Sequence, residues 1–131
     1  MDMIVTFPGG KRVDVGFGDL VIKTDQLKSD GGDGSAPTPF QTFLASLGAC
    51  AGIFVLGFCE SRQIPTAGIR IVQKNTFDPA THKLLDVSLT VEVPPDFPER
   101  YHDAVARAAD QCAVKRVIAN PPNISVRTEV K

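Results

Sequence analysis

Near the start of the chain, apolar positions recur with period two. Met3, Val5 and Phe7 are interleaved with Ile4 and Thr6. After Pro8-Gly9-Gly10, Val13, Val15 and Phe17 alternate with Arg12 and Asp14, and Leu20 to Thr24 follow. Such runs between Gly and Pro turns predict three strands. The Gly- and Asp-rich stretch Ser29 to Pro37 is expected to be a mobile loop. The period then changes. Thr38 is a cap residue, Pro39 suits a first helical turn, and Gln41 completes a capping box. A helix is predicted from there to about Gln63, with Pro65 as its stop, a length of about 36 Å.

On a helical wheel Phe40, Phe43, Leu44, Leu47, Ala51, Phe54, Val55 and Phe58 share one face. The other side carries Ala45, Ala49, Gly52, Ile53 and Leu56. A helix apolar all round is expected to be covered all round. A chain of this size has little material for both sides, which predicts a homodimer. A membrane span fits less well, because Gln41, Thr42, Ser46 and several glycines interrupt the run between predicted strands.

Beyond the helix, Ile69, Ile71 and Gln73 alternate with Arg70 and Val72. A turn near Asp78-Pro79-Ala80-Thr81 leads to Leu85, Val87, Leu89, Val91 and Val93, a second clean alternation. Asp96 is the expected cap of another helix, with Pro98 in its first turn and Glu99 three residues on. Asn120-Pro121-Pro122 ends that helix, and Ile124, Val126, Thr128 and Val130 predict a final strand. Within this second helix Tyr101, Val105, Ala108 and Cys112 share a face, whereas Val114, Val117 and Ile118 lie nearly opposite. One straight helix cannot bury both stripes, so a break is predicted near Cys112. The order is βββ-α-ββ-α-β, an α+β fold in a single domain over residues 1–131.

Composition narrows the function classes. The 131 residues are 43% hydrophobic and 22% charged, with a net charge of -1, which suits a globular domain. There is no basic stripe for nucleic acid and no polybasic patch for a membrane surface. The N-terminus has no signal-peptide pattern, so the expected location is a reducing one, the cytoplasm. Cys50, Cys59 and Cys112 are odd in number and widely spaced, a poor disulfide framework, and without CxxC pairs they offer no zinc site. His82 and His102 are expected at the surface. Gly31-Gly32-Asp33-Gly34 lacks the strand and helix context of a nucleotide loop. No cofactor is expected.

Chemistry therefore falls to the thiols. Cys50 lies at the edge of the apolar face beside Phe43, Phe54 and Gly57. It reads either as a small core hydrophobe or as a nucleophile in an apolar pocket. Cys112, at the predicted break, would open a short helix whose free amides and dipole stabilise a thiolate, with Lys115 and Arg116 one turn on. Cys59, nine residues from Cys50, points to the other side of the helix and reads as packing.

Element order and motifs together resemble the OsmC-like superfamily, that of osmotically inducible protein C and the organic hydroperoxide resistance proteins. The residues that carry the resemblance are Gly31-Gly32, Gly34-Ser35-Ala36-Pro37-Thr38-Pro39, Leu44-Ala45-Ser46-Leu47-Gly48-Ala49-Cys50 and Cys112-Ala113-Val114-Lys115-Arg116. The resemblance implies antiparallel sheets wrapped around two central helices in an intertwined homodimer. It also implies a peroxidatic cysteine, here Cys50, and a resolving one, here Cys112. The substrate would be a small hydrophobic hydroperoxide and the reductant a dithiol. Arg12 and Arg116 are the candidates for the basic residue that stabilises the thiolate, and Phe40, Phe43 and Phe54 for the pocket. Two positions depart from the pattern: Phe40 stands where active members carry Glu, and Ala113 where a proline often follows the second cysteine. The rival reading, from a different class, is a non-enzymatic protein that binds a small apolar ligand or senses redox state.

Overall fold

A computed structural model describes residues 1–131. The chain divides into two compact units, Met1–Ser46 and Leu47–Lys131. The expected α+β class with antiparallel sheets is what forms.

In the first unit β1 (Ile4–Gly9), β2 (Arg12–Phe17) and β3 (Leu20–Thr24) make an antiparallel sheet in that order. Val5 pairs with Val15 and Asp14 with Lys23. Gly9 and Gly10 take the turn at φ 139° and 59°, conformations that a side chain would resist. The segment after β3 is not the mobile loop its composition suggested. Asp25, with no solvent exposure, lies just before it and gathers it in. Its carboxylate accepts the Gln26 amide at 2.7 Å, the Ser35 amide at 3.0 Å and the Ser35 hydroxyl at 2.6 Å. Backbone bonds from Gly32 to Leu27 and from Gly34 to Gln26 close the loop further.

The Ser35 hydroxyl, then the Ser35 and Gln26 amides, hold the Asp25 carboxyl down at about 2. A lowered folded-state value stabilises above the ordinary 3.8 and is lost as pH falls through about 2. Amide-exchange protection of Ser35 should therefore persist down to about pH 4 and disappear on further acidification. Protection that faded already between pH 6 and 5 would refute the clamp.

The long helix, α1 (Pro39–Ser61), starts in the first unit and continues into the second. Its capping box forms as expected: Gln41 N–H donates to Thr38 Oγ1 at 3.1 Å, and Thr38 N–H to Gln41 Oε1 at 2.9 Å. At the other end Gln63 is left-handed at φ 55°. Ile64 N–H reaches Cys59 O and Gln63 N–H reaches Glu60 O, a Schellman ending ahead of Pro65. By length and composition alone α1 could cross a membrane. Its Ala51, Val55, Phe58 and Cys59 instead pack with Phe97, Val105 and Ala109 in the core of the second unit. Ile53 and Leu56 remain exposed on its other side.

The second unit adds an antiparallel hairpin, β4 (Arg70–Phe77) and β5 (Leu84–Glu92). Its turn is fixed by Asp78, whose Oδ1 accepts the Ala80 and Thr81 amides. The following helix begins later than Asp96 predicts. A 3-10 turn, Glu99–Tyr101, precedes α2 (His102–Ala109), and no side chain caps either start. The predicted break is present. Asp110 closes α2, and α3 (Ala113–Ala119) starts after Cys112. The last predicted strand does not form within the chain. Residues 121–131 carry no ladder, and Ile124, Val126 and Val130 are 83%, 95% and 97% exposed. Alternation makes a strand only where a neighbouring backbone supplies hydrogen bonds.

Candidate active site

Two helices bring the predicted thiols together. Cys50, half-buried, sits in the middle of α1, and Cys112 is the N-cap residue of α3, only 4% exposed. An N-cap side chain lies beside its own helix and serves an amide one turn on. Cys112 Sγ does this, accepting Lys115 N–H at 3.5 Å. The first amides of α3 are thereby left to point elsewhere. Ala113 N–H donates to Cys50 Sγ at 3.2 Å.

These groups make the Cys50 thiol easier to ionise. The Val114 amide does most to pull the Cys50 pKa below the ordinary thiol value, against the opposing effect of burial. Donation from the Cys112 thiol, the Ala113 amide and the charge of Arg116 act in the same direction. The Cys112 S–H has a second acceptor in Leu47 O, at 3.9 Å. The helix start at Cys112 was legible in the sequence, but its amides are shared: Lys115 N–H serves Cys112 as expected, whereas Ala113 N–H serves Cys50. Only the tertiary pairing of α1 with α3 reveals this.

The other expected residues are placed as follows. Arg116 acts on Cys50 through its charge. Arg12 lies in the first unit and donates to Gly9 O at 3.2 Å across its own hairpin turn. Phe40, half exposed, packs on Phe43 with ring centroids 5.5 Å apart. Phe54 is half-buried on α1. A groove of about 300 Å³ in the second unit is lined by Gly48, Gly52, Val55, Leu56, Ile69 and Arg70 and includes none of the three phenylalanines. A Cβ at Gly48 would stand 2.6 Å from Gln73 Oε1, the movable end of a flexible side chain.

Cys59 is the counter-example. It has no exposure and lies in the core, and burial pushes its thiol up. At neutral pH iodoacetamide should label Cys50 at least about tenfold faster than Cys59, followed by peptide mass spectrometry. Equal rates would contradict the assignment of environments.

The sequence matches the OsmC-like protein family over residues 32–127. No curated protein matches it significantly. Among solved structures, the fold is similar to that of a protein from Psychrobacter arcticus 273-4 assigned to osmotic stress induction and detoxification response. The TM-score is 0.73 at 18% identity, covering 87% of this chain and 85% of that one. An organic hydroperoxide resistance protein OsmC from Legionella pneumophila gives 0.56 at 19% identity, with 90% and 89% covered. A Vibrio cholerae protein assigned to organic hydroperoxide resistance, with captopril in one of its active sites, gives 0.55 at 19%, with 92% and 86% covered. With its family match spanning both thiols and its fold shared, the chain belongs to the OsmC-like protein family.

Proposed function

We propose that the chain is a cysteine-based peroxidase that reduces small organic hydroperoxides. The observation that carries this reading is the convergence of the Ala113 amide and the Cys112 thiol on Cys50 Sγ, beside the charge of Arg116. Cys50 thiolate attacks the terminal oxygen of the peroxide. The O–O bond breaks, the alcohol leaves with a proton, and Cys50 becomes a sulfenic acid. Cys112 sulfur then attacks Cys50 sulfur, expelling water as the disulfide forms. A dithiol restores both thiols by exchange.

The amides fit the task because they already face the sulfur that carries the charge. No metal or organic cofactor takes part in this scheme. We also take residues 1–131 as one OsmC-like domain that works as a homodimer in the cytoplasm. The exposed Ile53 and Leu56 of α1 and the unladdered alternation of residues 124–130 are surfaces a second copy would cover.

The test treats reduced protein with one equivalent of cumene hydroperoxide and follows peroxide loss and cysteine oxidation. Rapid loss with a Cys50–Cys112 disulfide is the expected result. No loss, with both thiols intact, overturns the reading. It would leave a fold kept for ligand binding or redox sensing, the alternative that Phe40 in place of the family glutamate favours.

A further inference from the structure

The groups that favour the Cys50 thiolate come from one stretch, Cys112 to Arg116. Its position needs an explanation, because α3 has seven residues and buries none of them. Packing alone does not fix the direction of such a helix. α2 is different: Val105 and Ala109 are in the core, and Asp110 N–H still donates to Ala106 O. Asp110 is therefore fastened to a rigid element on the near side of the break. On the far side, Lys115 donates its amide to Cys112 Sγ, and its ammonium pairs with the Asp110 carboxylate.

We propose that the Asp110–Lys115 ion pair is a positioning clip. It fastens the first turn of α3 to the core-anchored end of α2, so that the Ala113 and Val114 amides stay on Cys50 Sγ. Neither residue touches Cys50 Sγ, and both act on it through the backbone between them. This inference rests on the reading of Cys50 as the reactive thiol. The ionisable groups that act on Cys50 itself are Cys112 and Arg116.

A clip and a simple field effect differ in sign. Removing the Asp110 charge alone makes a nearby thiolate easier to form, whereas releasing the clip makes it harder. The experiment is the pH profile of Cys50 alkylation by iodoacetamide in the reduced full chain, read by peptide mass spectrometry, with circular dichroism to confirm folding. Exposed pairs are modest. Asp110→Asn and Lys115→Met should each slow alkylation near neutral pH by about 2- to 5-fold and move the profile to higher pH. The double variant should be no worse than either single one, and Lys115→Arg should keep the wild-type profile. An Asp110→Asn profile that is unchanged, or shifted to lower pH, overturns the clip. A wild-type Cys50 that titrates as an ordinary thiol removes the reactive-thiol reading, and the clip with it, so the two failures are told apart.

Discussion

Cys50→Ser is expected to lose hydroperoxide turnover by at least about three orders of magnitude. A serine hydroxyl in the same place still accepts the Ala113 amide that reaches Sγ at 3.2 Å. The fold and the donors are kept, and what disappears is a thiol that its neighbours make easier to ionise than an ordinary one. Cys112→Ser should behave differently. It keeps an oxygen in place of the sulfur and leaves Cys50 free to attack once. One equivalent of peroxide is then consumed per site and oxidation stops at the sulfenic acid, which dimedone traps. Steady turnover in Cys50→Ser would refute its role as nucleophile. Multiple turnovers in Cys112→Ser would show that resolution needs another thiol.

The largest stability effect is expected from Gly32→Ala. A Cβ at this position would stand 2.2 Å from Gln26 O, 2.6 Å from its carbonyl carbon and 2.8 Å from its Cα. All three are backbone atoms, so no rotamer change relieves the contact. Gln26 cannot retreat, because its amide is held by Asp25 and its carbonyl accepts Gly34 N–H at 3.1 Å. Gly32 is itself held by Leu27 O at 3.0 Å. Overpacking of this kind costs about 3 kcal/mol or more, a fall in melting temperature of about 10 °C. Gly18→Ala is the control: its φ is 54° but nothing stands within 4 Å, so only conformational strain of about 1 kcal/mol is expected. Calorimetry of the two variants separates clash from strain. Equal melting points would mean that the loop has room it does not show.

Two local signals were legible because the residues concerned are neighbours in sequence, although the equally local Asp96 cap did not form. Thr38 and Gln41 lie three apart, and their reciprocal bonds are as their spacing implies. The opposed stripes around Cys112 located the break between α2 and α3. The other misreadings need partners distant along the chain. Gly and Asp content suggested a mobile loop, yet Asp25 bonds Ser35 ten residues away. The amides of α3 were matched to the nearest thiol, whereas the bond from Ala113 spans 63 residues to Cys50. The alternation of residues 124–130 showed which side chains share a face but could not show whether a ladder partner stands beside them.

Cys112, Ala113, Val114 and Arg116 lie within five consecutive positions, and each of them influences Cys50. The part of the chain that would resolve the oxidised sulfur is also the part that prepares it to react. Natural variation in these positions therefore has little freedom to tune one step alone. A change that turns the segment alters the speed of attack and the speed of closure together, so these two rates would drift as a pair among related chains.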